Sequence, residues 1–147
     1  MRLLMLALSL LPLSAANLGG RAEYIGGTLD FKKSVSGRIA TSDAAAMRFV
    51  NKQNNVEVPY ARINLIEYGQ KVDRRYLAAA LISPVLILAK SRRHFLTVGY
   101  EDPQGRQQAL VLRVDKNDIR ALLASLEART GIRVTFQDQE ARKAGKG

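Results

Sequence analysis

Few side chains of this sequence could carry out covalent or acid–base chemistry. The chain has one histidine, His94, and no cysteine, so a thiolate nucleophile and a second imidazole are both missing. The sequence also lacks the motifs of nucleophile elbows, phosphate-binding loops, zinc-binding helices and calcium loops. Arg92 and Arg93 precede His94 and disfavour its charged form, and we expect this histidine to be a solvated residue at the start of a strand. These observations favour a protein that is not an enzyme and uses no cofactor or metal.

The residues best suited to a binding role surround an apolar segment. Residues 76–89 carry no charge, and basic side chains flank them on both sides. Fourteen residues are too few to span a bilayer, which takes ~20. They are enough to lie in the interfacial region with arginines on anionic headgroups, at about 1 kcal/mol per basic residue. The candidate contact residues for a membrane or a partner are Arg74, Arg75, Tyr76, Leu86, Leu88, Lys90, Arg92 and Arg93.

Two other interpretations of this insert, residues 74–93, stay open. An apolar run of this length is more often part of a core, here a short helix and crossover packed over one mouth of a barrel. An apolar patch left exposed would instead mark a site for a protein partner. We therefore expect the partner to be an anionic lipid surface or an unidentified protein.

The first sixteen residues have the three regions of a secretory signal peptide. Met1 and Arg2 form the positive region, residues 3–13 are apolar, and residues 14–16 are small. The sequence thus predicts export to the periplasm or the cell exterior, with no transmembrane span in the mature chain. The formal net charge of +10 attracts anionic partners. Export makes nucleic acid an unfavoured one.

Alternation of apolar and polar residues predicts a mainly β domain. Gly26 and Gly27 are expected to open the first strand, and Ile63 and Leu65 are expected on the opposite face to Ile66 and Tyr68. The predicted strands cover residues 26–32, 35–41, 45–50, 56–58, 63–68, 94–101 and 107–114. The last two form a hairpin, because residues 102–105 read Asp-Pro-Gln-Gly, a favoured turn sequence.

The period then changes from two to 3.6 residues, which predicts one amphipathic helix. Its apolar stripe comprises Ile119, Leu122, Leu123 and Leu126. Asp115 is expected to cap the start of this helix, and Gly131 its end. Residues 132–136 are compatible with one more short strand, and residues 137–147 are expected to form a flexible tail.

This order of elements resembles the pleckstrin-homology-like (PH/GRAM-like) fold, a seven-stranded bent barrel capped by a C-terminal helix. Residues 58–63, Val-Pro-Tyr-Ala-Arg-Ile, are followed by Ile66-Glu67-Tyr68 and resemble the "I-P-Y-x-x-I" strand pair of bacterial members. The resemblance covers residues 26–136 and implies one domain, residues 17–136, built as a small antiparallel barrel or sandwich. Eukaryotic lipid-binding members carry basic residues near the first hairpin. Lys32, Lys33 and Arg38 lie there without the family spacing, so phosphoinositide binding is not inferred.

The sequence therefore predicts an exported, non-enzymatic binding or adaptor module. The alternative is a small periplasmic enzyme or ligand-binding barrel whose site is assembled only in three dimensions. An open interior cavity lined by converging polar groups would favour that alternative, whereas an interior filled with apolar side chains would leave it no site.

The signal peptide generates a direct test. Mass spectrometry of the protein from its native host should show an N-terminus near Asn17, because cleavage follows the small residues 14–16. Recovery of an intact chain beginning at Met1 in the cytoplasm would contradict export.

Overall fold

The computed structural model of the chain describes residues 19–31, 34–70 and 93–146. The predicted signal peptide, residues 1–16, lies outside these ranges, as do Lys32, Lys33 and all of the predicted insert except Arg93. In the ranges described, the structure contains no helix long and apolar enough to cross a membrane.

The domain is mainly β, as predicted, and its strands form one sheet. Strands β1–β4 make an antiparallel meander, and β5–β7 make a second one. Antiparallel pairing of β1 with β7 joins the two, and β8 adds to β5 in parallel, giving the order β4-β3-β2-β1-β7-β6-β5-β8. The strands are β1 (Gly19–Gly27), β2 (Val35–Ala40), β3 (Ala46–Val50), β4 (Asn55–Pro59), β5 (Ile63–Gly69), β6 (His94–Glu101), β7 (Gln107–Val114) and β8 (Thr135–Phe136).

The sheet is rolled around its core without closing into the predicted seven-stranded barrel. A 3₁₀ turn, Tyr60–Arg62, is all that separates β4 from β5, although these strands stand at distant positions in the sheet order. The sheet must therefore curl until the two meanders face each other. The eighth strand, β8, follows the helix and lies at the edge beyond β5, so the strand count and the barrel closure both differ from the prediction.

One apolar cluster, here called the inner cluster, fills the concave side of the sheet. Every strand except β8 contributes to it, together with both helices described below. Its buried members are Ala22, Tyr24, Ile39, Met47, Phe49, Val58, Tyr60, Ile63, Ile66, Tyr68, Leu96, Val98, Leu110, Leu112, Val114, Ile119, Leu122, Leu123, Leu126, Val134 and Ala141.

A bulge in β5 corrects the predicted faces of that strand. Ile63 pairs with Tyr100 and Leu65 pairs with Gly99, so Asn64 is an extra residue in the ladder. The extra residue turns Ile63 to the same side as Ile66 and Tyr68, and all three join the inner cluster. Simple alternation had placed Ile63 on the opposite face.

The first strand also begins earlier than predicted. β1 starts at Gly19, and Gly26 and Gly27 lie at its end. Ala22 and Tyr24 face the inner cluster, while Arg21 and Glu23 point to the other side. The hairpin β6–β7, by contrast, has the predicted bounds, and Asp102 accepts hydrogen bonds from the backbone N–H of Gln104 and Arg106 in its turn.

The predicted amphipathic helix is present as α1 (Ile119–Thr130). Its four stripe residues are all buried in the inner cluster, and Gly131 ends it at φ 74°, the left-handed conformation that glycine adopts without strain. The N-terminal cap differs from the prediction, because Asp118 is the capping position and Asp115 stabilises the turn before it. Asp118 bonds to the backbone N–H of Arg21 at 3.1 Å, which fixes the helix start against β1.

Residues 137–146, for which the sequence predicts a flexible tail, contain regular secondary structure. They include a second helix, α2 (Gln139–Lys146), in which Ala141 is fully buried in the inner cluster. Gly145 lies so close to Phe136, Leu123 and Tyr68 that a Cβ there would stand 2.6 Å from the Phe136 ring. Ala141 and Gly145 are small residues on an otherwise polar helix, and their size allows the helix to pack closely on the core. The prediction of a tail followed from the charged residues and took no account of these small ones.

Burial of the α1 stripe predicts a large cost for truncating it. Leu123→Ala should lower the free energy of unfolding by about 2–5 kcal/mol, as cavity-forming core substitutions do. The matched control is Val50→Ala, because Val50 is 39% exposed and surface truncations change stability by roughly 0.5 kcal/mol or less. Equal urea midpoints and slopes for Leu123→Ala and the unaltered chain would show that α1 does not pack on the sheet.

Candidate functional site

Of the eight candidate contact residues, the structure describes Arg93. The other seven, Arg74, Arg75, Tyr76, Leu86, Leu88, Lys90 and Arg92, lie outside the described ranges. Arg93 directly precedes β6, at the end of the sheet where His94 pairs with Val114 of β7. Arg93 therefore lies beside the surface formed by β7 and β1.

A cavity of about 440 Å³ lies at this position, over β1, β7 and the start of β6. Three arginines from three different parts of the chain line it, together with two carboxylates and the histidine. These residues are Arg21, Glu23, Arg93, His94, Arg113 and Asp115. Arg21 and Glu23 come from β1 and Arg113 from β7, on the outer face of the sheet.

The two carboxylates hold two of these arginines. Arg113 is ion-paired with Glu23, and both side chains are largely shielded, at 30% and 18% exposure. Arg21 lies 3.9 Å from Asp115, but its side chain is 78% exposed, so this pair contributes little to stability. The described lining thus combines three arginines with two carboxylates, and the Arg21 guanidinium is the most accessible of the four groups in these two ion pairs.

Strand pairing places one more arginine beside Arg21. In the β1–β2 ladder Arg21 stands directly opposite Arg38, and both residues are exposed. Like charges in directly opposed positions of a ladder repel each other and destabilise it. Guanidinium groups also bind phosphate and carboxylate groups through two parallel hydrogen bonds. The arrangement is thus chemically suited to binding anions.

His94 is half-buried and hydrogen-bonded, which corrects the expectation of a solvated residue. Its Nδ1 is hydrogen-bonded to the Tyr68 hydroxyl, and the two rings are stacked with centroids 5.9 Å apart. Burial lowers the pKa of the imidazole; Asp115 opposes this effect and Lys116 adds to it. At neutral pH His94 is therefore an uncharged partner of Tyr68, and the positive charge of the cavity comes from arginine.

Asp102, the most buried carboxylate of the hairpin turn, has a structural role. Burial raises its pKa, but hydrogen bonds from the backbone and side chain of Arg106 and from the backbone of Gln104 outweigh this, so that the pKa is lowered overall. Its Oδ2 also accepts a 3.0 Å hydrogen bond from the Gln108 amide. A carboxylate held in this way keeps the turn in place and is poorly suited to proton transfer.

Among the residues that the structure describes, no group of three or more histidine and carboxylate side chains could hold a metal ion. Around the cavity, Arg21 and Arg113 are ion-paired with carboxylates, and His94 is hydrogen-bonded to Tyr68. Guanidinium groups arranged in this way can bind anions.

Arg93 is among the contact residues predicted from the sequence, whereas Arg21 and Arg113 are not. Arg21 lies in a strand whose start was not recognised, and Arg113 alternates with Leu112 and Val114 as any solvent-facing strand residue would. The alternation of Arg21 and Glu23 with Ala22 and Tyr24 was the available signal for the longer β1. No pattern in the sequence gives the register that brings Arg21, Arg38 and Arg113 together.

No protein-family model matches the chain, and no curated protein matches it either.

The Tyr68–His94 contact predicts a specific pH dependence. Because the folded pKa is lowered, the unfolded state binds more protons just below the ordinary histidine pKa of about 6.5. Stability should therefore fall as the pH drops through about 6.5 toward the folded pKa. His94 is the chain's one histidine, so its proton NMR titration should show a midpoint below that of a model imidazole.

A His94→Gln variant provides the control for this titration. Glutamine does not titrate, so the variant should lose the stability change between about pH 7.5 and about pH 5.5. A midpoint at or above the ordinary value would mean that the imidazole is solvated or paired with a carboxylate.

Proposed function

We propose that the protein is an exported, non-enzymatic binding module that docks on an anionic surface through the arginines of its outer sheet face. The observation that carries this proposal is the direct opposition of Arg21 and Arg38, next to a cavity lined by Arg93 and Arg113. Two exposed guanidinium groups in one ladder step cost stability when the protein is free. An anionic partner would relieve this repulsion when it binds, and this relief would strengthen binding.

A surface with many phosphates fits this arrangement better than one small anion. Arg21 and Arg38 project from β1 and β2, whereas Arg93 precedes β6, so the positive groups are spread across several strands. Each basic residue near an anionic lipid surface contributes about 1 kcal/mol. Arg74, Arg75 and Arg92 belong to the same chain segment as Arg93 in sequence and would add to the attraction.

We propose that the fold is related to that of the pleckstrin-homology-like proteins, and the order of elements supports this relationship. Two meanders of four and three strands are followed directly by α1, as that resemblance implies. Strand β8 and helix α2 are additions to that plan. The binding surface that we propose lies on the outer face of the sheet. It therefore does not require the ligand site of any particular member of that family.

The packing of the interior argues against a ligand-binding barrel or a hidden enzyme. The concave side is filled by the inner cluster, with Phe49, Leu96, Leu110 and Leu126 fully shielded from solvent. A small-molecule site needs space and a few converging polar groups. Polar groups do converge on the outer face, where arginines meet their carboxylate partners.

Vesicle binding tests the proposed function. The protein should sediment with vesicles containing anionic lipid, and added salt should release it, because screening weakens charge attraction. Replacing both Arg21 and Arg38 by glutamine should weaken binding about 30-fold, the loss of about 2 kcal/mol, while thermal stability stays equal or rises. The variant with Arg74, Arg75, Arg92 and Arg93 changed to glutamine should bind still less.

The matched control removes two positive charges from the opposite side of the molecule. Arg142 and Lys143 are exposed residues of α2, which packs on the inner cluster. Their replacement by glutamine changes the net charge by the same amount and should leave most of the vesicle binding intact. Equal losses in the two double variants would indicate attraction by net charge alone, and no binding by the unaltered protein would refute the proposal.

A further inference from the structure

A second cavity lies at the edge of the sheet beyond β5, between the end of α1, strand β8 and helix α2. Its volume is about 560 Å³, and it shares no lining residue with the cavity on the outer face. Three basic side chains, two carboxylates and one aromatic ring are the chemically informative groups of its lining. They are Arg133, Arg142, Lys146, Glu127, Asp138 and Phe136.

The backbone around this cavity is held by the two carboxylates. Glu127 Oε1 accepts a 2.8 Å hydrogen bond from the N–H of Val134, which fixes the connection between α1 and β8. Asp138 Oδ1 accepts a 2.7 Å hydrogen bond from the N–H of Ala141 and so caps the start of α2. In the described ranges, neither carboxylate forms an ion pair with the basic side chains of the cavity. Both acids therefore have a structural role in shaping the cavity.

The two basic residues of α2 lie side by side at the cavity. Arg142 and Lys146 are four residues apart, which places them on one face of the helix with their Cβ atoms about 6 Å apart. They directly follow Ala141 and Gly145, the small residues that pack on the core, so the packing of α2 brings both basic residues to the rim of the cavity. Like charges at this spacing destabilise a free helix, and an anion bound between them would relieve their repulsion.

Phe136 positions the ammonium group of Lys146 without neutralising it. Lys146 Nζ lies 5.5 Å from the centre of the Phe136 ring, which is within the range of a cation–π contact. The ring is held in turn by an edge-to-face contact with Tyr68, with the ring centroids 6.0 Å apart, and by the close approach of Gly145. Because the ring carries no formal charge, the ammonium group keeps its positive charge and its N–H donors for an anion.

We propose that this cavity binds a small soluble molecule that carries two anionic groups, phosphates or carboxylates, joined by a short linker. One group would bind between Arg142 and Lys146, and the other would bind Arg133, which comes from a different part of the chain. Guanidinium groups bind either kind of oxyanion through two parallel hydrogen bonds, and lysine binds them as a point charge. The cavity volume falls within the usual range of small-molecule sites, about 300–1,000 Å³.

This inference does not rest on the proposed function. The proposed function uses arginines that are spread across the outer face and suit an extended anionic surface. The second cavity is concave and its basic groups converge, so it suits a molecule small enough to enter it.

Isothermal titration calorimetry at constant ionic strength tests this binding. Pyrophosphate is the phosphate probe and citrate is the carboxylate probe, and at least one of them should bind saturably. Binding of pyrophosphate alone would assign a phosphorylated ligand, binding of citrate alone would assign a polycarboxylate, and binding of both would support the shared chemistry. Failure of both probes to bind would overturn the proposal.

A double variant of α2 tests whether the probe binds in this cavity. Arg142→Gln together with Lys146→Gln should weaken binding about 10-fold or more, because hydrogen bonds to charged groups are lost. One control, Arg21→Gln with Arg38→Gln, removes the same charge from the outer face. The other control, Lys143→Gln, alters the last turn of α2 at a residue that does not line the cavity. Both controls should keep the affinity of the unaltered protein, and an equal loss in the outer-face control would contradict the proposal.

NMR spectroscopy locates the bound probe in the unaltered protein. The amide resonances of Val134 and Phe136 should shift on titration far more than those of Arg21 and Arg113. In the α2 variant, the amide resonance of Ala141 should stay in place, which would show that the helix still packs on the core. If the helix is displaced in that variant, the shifts in the unaltered protein decide the question, and largest shifts at the outer face would overturn the proposal.

Discussion

The fold depends on the pairing of β1 with β7. This ladder is what converts two separate meanders into one sheet, and Arg21 extends it beyond the strands themselves. The backbone carbonyl of Arg21 accepts a hydrogen bond from the N–H of Asp115, and its N–H donates to the Asp118 carboxylate. One residue of β1 therefore fixes both the end of β7 and the start of α1. Gly20 allows this approach, since a Cβ there would stand 2.2 Å from the Asp118 Oδ2.

This ladder also creates the charged surface. Once β1 lies between β2 and β7, its outward residues meet those of both neighbours, which gives the Arg21–Arg38 opposition on one side and the Glu23–Arg113 ion pair on the other. The inner cluster is apolar, whereas Arg21, Glu23 and Arg113 lie on the outer face of the sheet. The proposed function uses the outer of these two faces.

The elements predicted correctly from the sequence are those encoded by local patterns. The β6–β7 hairpin combines strict alternation with a proline and glycine turn, and α1 combines a 3.6-residue period with a terminal glycine. The start of β1 was missed because its apolar residues are few and its stability comes from a partner strand far along the chain. The bulge at Asn64 moves Ile63 to the other face of the strand. The alternation of apolar and polar residues in the sequence gives no sign of this bulge.

The candidate site was less predictable for the same reason. Arg93 stood out because basic residues surround an apolar run, a feature visible in sequence. Arg21, Arg38 and Arg113 become neighbours only through strand register, and His94 meets Tyr68 only because β5 and β6 are paired across the insert. Ordinary surface arginines and functional ones look alike until the register is known.

The late position of the helices in the chain has a consequence for how the protein folds. Glu23 and Arg113 are 90 residues apart, so the central ladder cannot form until β7 is available. The residues of α1 and α2 that complete the core come later still. Topologies dominated by such distant contacts fold slowly, in milliseconds to seconds, because loop closure precedes most of the stabilising contacts. During synthesis the N-terminal meander therefore exists for some time as a strand set without a core, with Phe49 and Met47 available to chaperones or to neighbouring chains.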